Sequence, residues 1–243
     1  MTAWLAILAV GLAAGVLGGV VGFGASVVMV PILSIAFGPK DAIPIMAIAS
    51  LMANASRVLV WWREVDWRSA LSFAAVAAPA SAIGARTMLA LDAARVETVL
   101  GAFLLAVAIA RRTLRGRRFA LPRPAFVAAA APVGFLTGIV ASTGPISTPL
   151  FLGLGLVKGA FIGTEAAASV AVYGAKLAVF GANAVYTADA VGRGLLVGLS
   201  LMGGAWIAKR IVVGMSAARF GALMDLLLAG AGLTMLARGI GAG

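Results

Sequence analysis

Gly15-Val16-Leu17-Gly18-Gly19-Val20-Val21-Gly22-Phe23-Gly24-Ala25-Ser26, running on to Val30-Pro31-Ile32-Leu33, is the stretch that decides the fold. Apolar residues continue almost without interruption from Ala3 to Phe37, and glycines punctuate them at 15, 18, 19, 22 and 24. One straight helix over that span would be roughly 52 Å long at about 1.5 Å per residue, against a bilayer core about 30 Å thick. The segment must therefore tilt steeply or break and turn back, and Gly22-Phe23-Gly24 is its weakest point. Backbone broken at membrane depth is tolerated only where it faces protein or a polar cavity. The stretch reads as a helical hairpin that forms half of a substrate site.

The rest of the composition agrees with that setting. Of 243 residues, 63% are hydrophobic and only 11% charged, with a mean hydropathy of +1.10. These values exclude a soluble globular domain and predict an all-α polytopic membrane protein. Met1-Thr2-Ala3-Trp4 carries no basic residue and the apolar run is too long for a signal h-region, so a cleavable signal is not expected. Cysteine and histidine are both absent, which removes thiolate chemistry, disulfides and the usual proton shuttle. The net charge of +11 fits cytoplasmic loops of a membrane protein rather than nucleic-acid binding.

Apolar segments lie near 3–21, 25–37, 42–61, 69–90, 96–110, 125–139, 145–157, 160–184, 190–208 and 220–237. Between the fifth and sixth, Arg111, Arg112, Arg115, Arg117, Arg118 and Arg123 mark a basic linker, bounded by Pro122 and Pro124. It divides the chain into a first membrane repeat, 1–118, and a second, 119–243. Asp66 precedes Arg86 by 20 residues, as Asp189 precedes Lys209. Ser50 and Arg57 recur as Ser169 and Lys176, 119 positions later. Five segments in each half would make the repeats inverted. With the linker inside, thirteen Lys and Arg residues then fall on the cytoplasmic side and five outside. Single crossings in place of hairpins would weaken the asymmetry to eleven against seven. Two inverted repeats are therefore expected, each a Gly-broken hairpin plus three transmembrane helices, with both termini outside.

A second interrupted stretch, Gly138-Ile139-Val140-Ala141-Ser142-Thr143-Gly144-Pro145, matches the first. In this arrangement the second arm of each hairpin begins at its tip, so two helix N-termini aim into the membrane interior. Such termini carry unpaired N–H groups and the positive end of the helix dipole, which suits an anion. Gly22, Gly24, Ala25 and Gly144 are the backbone candidates. Ser26, Ser142, Thr143, Ser147 and Thr148 add hydroxyls beside the tips. The alternative is that the glycines serve only close helix packing.

Arg57 and Lys176 each lie deep in an apolar helix, with Ser50 and Asn54, or Ser169 and Tyr173, one and two turns earlier. A basic residue near mid-helix costs roughly 2.5–3.5 kcal/mol on insertion scales and normally faces a partner or cavity. Arg57 is expected on the inner approach and Lys176 on the outer, with snorkelling to headgroups as the alternative for Arg57. Glu97, Glu165 and Asp225 either carry protons or pair near helix ends with Arg95, Lys158 and Arg219. There is no nucleotide-binding motif, nucleophile elbow or metal-ligand cluster, and no cofactor is expected.

Taken together, these residues resemble the TauE/SafE sulfite exporter family. The resemblance rests on Gly15, Gly18, Gly22 and Gly24 leading to Val30-Pro31-Ile32-Leu33, then Ala47-Ile48-Ala49-Ser50-Leu51, then Asp66-Trp67. The Gly138–Pro149 stretch and the basic centre extend it over essentially the whole chain. It implies transport of sulfite, organosulfonates or related sulfur-containing anions across the cytoplasmic (inner) membrane. Where such proteins often have three successive glycines, this chain has Gly24-Ala25 and Ser142-Thr143-Gly144. The expected function is therefore a secondary transporter exporting a small sulfur oxyanion, not an enzyme, with a homodimer left open. Two rivals remain at this point. One is an intramembrane enzyme of the lipid-phosphatase type, whose clustered acid and base residues are missing. The other is the membrane subunit of a larger transport complex.

Overall fold

The computed structural model describes residues 2–22, 25–90, 120–139, 144–216, 218–220 and 222. Every regular element among the described residues is helical. The hairpin stretch forms α1 (Thr2–Val21) and α2 (Ala25–Phe37), with the chain broken at Gly22 as the glycines and the length argument require. Then follow α3 (Pro39–Trp61), a single 3-10 turn at Trp62–Glu64, and α4 (Trp67–Ala90). The second half contributes α5 (Arg123–Ile139), α6 (Gly144–Gly153), α7 (Lys158–Ala182) and α8 (Ala188–Gly214). The apolar segment at 96–110, nearly all of 220–237, Arg95, Glu97, Asp225 and the arginines from 111 to 118 lie outside the described residues.

Local chemistry sets the ends. Asp66 precedes α4 and its carboxylate accepts from the Ser69 N–H at 3.2 Å and the Ser69 hydroxyl at 2.6 Å, an N-cap. Thr187 does the same for α8, accepting from the Ala190 N–H at 3.1 Å, with Asp189 in the first turn.

Four of the described helices are long and apolar enough to cross a membrane: Trp4–Val21, Asp41–Glu64, Trp67–Ala90 and Ala188–Gly214. Leu5, Leu59, Leu71, Ile83 and Leu199 stand exposed along them, an outer surface suited to lipid rather than water. Trp62 and Trp67 meet edge to face with centroids 4.6 Å apart where α3 gives way to α4, a position that suits the headgroup level. The chain is an all-α polytopic membrane protein.

The packing is reciprocal. Helix α1 docks on α8 of the second half, and α5 docks on α4 of the first. At the centre α3 packs on α7, flanked by α8 on one side and α4 on the other. Small residues make both docks close. A Cβ at Gly15 would lie 2.8 Å from Leu201 Cα, and one at Gly134 would lie 2.6 Å from Ala77 Cα. Gly134 is 119 positions after Gly15, the spacing that carries Ser50 to Ser169. The glycines of the opening stretch thus divide: Gly15 and Gly19 serve packing, and Gly22 serves the break.

Candidate functional site

Gly22 ends α1 with φ +84°, a conformation that side chains rarely adopt. Its N–H still reaches the Gly18 carbonyl at 2.8 Å, closing the last turn, while its own carbonyl is left for another donor. Three residues on, α2 starts at Ala25. Residues 140–143 of the second interrupted stretch fall outside the described residues, between the end of α5 at Ile139 and the start of α6 at Gly144. Ala25 and Ser26 from one start and Gly144 and Ser147 from the other line the same cavity, about 60 Å³ in volume. A water needs on the order of 10–15 Å³ by this measure, so the space accommodates roughly four to six heavy atoms.

The polar wall comes from the two central helices. Helix α3 presents Ser50, Asn54 and Arg57, and α7 presents Glu165, Ser169 and Tyr173. Positions four and three apart share one helical face, which is why each set points the same way. Arg57 is only 8% exposed. Its guanidinium donates to the Gly22 carbonyl, to Asn54 Oδ1 and to Glu165 Oε2, the last at 3.2 Å. Glu165 is 4% exposed, and its other oxygen accepts from Ser169 at 3.0 Å and Ser147 at 3.4 Å. The pair therefore joins the break at Gly22, the first turn of α6 and both central helices. A charge so far from water is retained only when paired and hydrogen-bonded.

One wall group is left over. The Ser50 hydroxyl, on a residue 4% exposed, has no hydrogen-bond partner among the described residues. Its own carbonyl accepts from Asn54 Nδ2 at 2.7 Å. A buried hydroxyl without a partner is costly, and at a cavity wall it is available to a ligand.

Of the residues singled out in the sequence, Gly22, Ala25, Ser26, Ser50, Asn54, Arg57, Gly144, Ser147, Ser169 and Tyr173 line this cavity. Thr148 is fully buried, with no hydrogen-bond partner for its hydroxyl among the described residues, but is not in the wall. Gly24, Ser142 and Thr143 lie outside the described residues. Lys176, expected on an outer approach, is 1% exposed and lies behind the cavity wall rather than in it. Its ammonium donates to the Thr137 carbonyl at 3.1 Å and lies 5.4 Å from the Phe180 ring centroid. The last carbonyls of α5 carry partial negative charge, and a nearby cation stabilises them. Arg57 does the same for α1 through Gly22.

Glu165 is the residue the sequence undervalued. It pairs with Arg57, not with Lys158, whose ammonium reaches the Val213 carbonyl at 3.4 Å. Its place one turn before Ser169 and two before Tyr173 was the available signal. Thr137, also in the wall, carried none. Among the described residues no group of His, Cys, Asp and Glu side chains could hold a metal ion. The ion pair is neutral as a unit. An added anion about 4 Å from an ionised Glu165 would meet about 4 kcal/mol of repulsion from the carboxylate alone at an effective dielectric of about 20, and the loaded site would carry a net negative charge.

The family model of the sulfite exporter TauE/SafE matches residues 7–235, and the chain belongs to that family. No curated protein and no solved structure matches it. Membership makes the chain a membrane transport protein of an anion-exporting family whose members are transporters, not enzymes.

Proposed function

We propose that this TauE/SafE family member is a secondary carrier that exports sulfite or a small organosulfonate across the cytoplasmic membrane, holding the anion between the two helix breaks. The observation that carries the reading is the cavity at the starts of α2 and α6, walled by buried Arg57 and by the unpartnered Ser50 hydroxyl. Sulfite and sulfonates share a pyramid of three oxygens on sulfur. Two helix N-termini and a guanidinium supply donors from three directions. The volume suits sulfite or a one-carbon sulfonate and leaves little space beyond.

The reciprocal docking of α1 on α8 and α5 on α4 supports two inverted repeats, 1–118 and 119–243. Rocking one half against the other would open the cavity alternately to each side, with Lys176 and Arg57 holding the broken helix ends in register. The chain passes the inner membrane several times.

Ligand-dependent stabilisation of the purified protein tests the site. At 100 times its dissociation constant a ligand stabilises by about 2.7 kcal/mol. Sulfite and methanesulfonate are expected to raise the thermal midpoint over chloride at matched ionic strength, and Arg57→Lys is expected to lose most of that rise. No rise with either anion in the wild type would overturn the reading.

A further inference from the structure

The ion pair occupies the place where an anion would bind. Arg57 offers the guanidinium, and Glu165 already accepts from it at 3.2 Å. Both side chains are buried, and the cavity is too small to let the carboxylate move away into water. A second negative charge could not enter beside an ionised Glu165 without strong repulsion.

We infer that Glu165 takes up a proton when the anion binds, so that the carrier moves one proton together with each monovalent anion. This rests on the anion site proposed above. In the empty carrier the Arg57–Glu165 pair is neutral as a unit. In the loaded carrier Arg57 pairs with the anion, and neutral Glu165 becomes an O–H donor toward an anion oxygen. Both forms can be occluded in a low-dielectric interior, because neither carries net charge. The proton enters from the aqueous side that supplies the anion and leaves on the side that receives it. Ser169 and Ser147 hold the carboxyl in place through either state, since a hydroxyl both donates and accepts.

Among the described residues Arg57 is the charged group that faces Glu165. Helices α1 and α6 have no charged residue. Glu64 of the 3-10 turn meets α7 back at Gly159. Lys209 of α8 is on the Val60 carbonyl at 2.8 Å. Arg86 of α4 lies beside Ala175 and Ala178, toward the other end of α7, and Arg123 opens α5. Lys176, on Glu165's own helix, holds the Thr137 carbonyl. Titration of the site therefore centres on Glu165.

Methanesulfonate is the probe, because its sulfonate stays ionised throughout the working range. The full-length protein in weak buffer is mixed with it while a pH indicator records proton uptake, and affinity is measured at stepped pH. The inference predicts about one proton taken up per anion bound, with affinity falling about tenfold per pH unit where Glu165 is ionised in the empty protein. Glu165→Gln should bind with no proton uptake and a flat pH profile, and Glu165→Asp should keep the uptake. Wild-type binding with no proton uptake and pH-independent affinity overturns the inference and leaves the anion site standing. Uptake undiminished in Glu165→Gln overturns it too, because the proton then goes elsewhere. Absence of methanesulfonate binding at any pH removes the anion site itself, and the coupling with it.

Discussion

Arg57 and Glu165 are 108 residues apart in sequence and 3.2 Å apart in the fold. Each comes from a central helix of a different half; Arg57 also reaches the break after α1 through the Gly22 carbonyl, and Glu165 the first turn of α6 through Ser147. The contact is thus where the halves, the Gly22 break and the cavity meet. Its position follows from burial: neither charge is tolerated in an apolar interior without the other.

Removing one member should therefore hurt more than removing both. Arg57→Met leaves a buried carboxylate unpaired and should lower stability by about 3–5 kcal/mol at neutral pH. Adding Glu165→Gln should recover most of that loss, while neither variant regains methanesulfonate binding. Denaturation of the single and double variants in the same detergent checks it. A double variant no more stable than Arg57→Met would mean that the pair is not coupled.

The Ser50 hydroxyl gives a cleaner separation of binding from folding. With no partner to lose among the described residues, Ser50→Ala should not lower stability, because it removes a buried hydroxyl whose desolvation is uncompensated. Anion affinity should fall by about 5- to 15-fold, the equivalent of about 1–1.5 kcal/mol for one hydrogen bond. Unchanged affinity would place the anion away from this wall.

Gly22 tests the break. Its φ of +84° disfavours any β-branched residue, and an added Cβ would lie 3.0 Å from the Phe161 ring. Gly22→Val should store about 1–3 kcal/mol of strain and sharply reduce transport. Gly174→Ala is the control, since nothing lies within 4 Å of a Cβ there, and a helical alanine is favoured by about 0.5–1 kcal/mol. Equal transport by Gly22→Val and the control would return Gly22 to a packing role.

How much of this was legible beforehand depends on the range of each interaction. The break at Gly22 and the face formed by Ser50, Asn54 and Arg57 follow from local rules of length, glycine and helical spacing. The partner of Glu165 does not, because the nearer charge in sequence, Lys158, turns toward Val213 of α8 and leaves the carboxylate to Arg57. Lys176 was legible as a buried charge, since its context is apolar. That its ammonium would reach the Thr137 carbonyl depended on how α5 docks beside α7, which only the fold supplies. The close approaches at Gly15 and Gly134 are likewise tertiary, although their 119-residue spacing was already in the chain.

Asp66 sets an expected acid response outside the spans. Its hydrogen bond with the Ser69 hydroxyl, above all, holds the carboxyl below its ordinary value of 3.8. A depressed folded-state value gives stability that is present above the unfolded value and is lost as pH falls through the folded one. Asp66→Ala should therefore cost about 0.5–2 kcal/mol near neutrality, as other N-cap losses do. The gap from wild type should close below about pH 3.8. Denaturation of both proteins across that range checks it, and a gap that persists in acid would show that charge and capping at Asp66 are not the cause.

The central claim is that an anion of the sulfite or sulfonate class crosses by way of the cavity between the breaks. Counterflow in proteoliposomes tests it most directly, because it requires the carrier and nothing else. Vesicles preloaded with unlabelled methanesulfonate should transiently accumulate labelled sulfite from outside, vesicles preloaded with chloride should not, and Arg57→Lys should abolish the difference. Equal uptake with both preloads in the wild type, or counterflow undiminished in Arg57→Lys, would contradict the account.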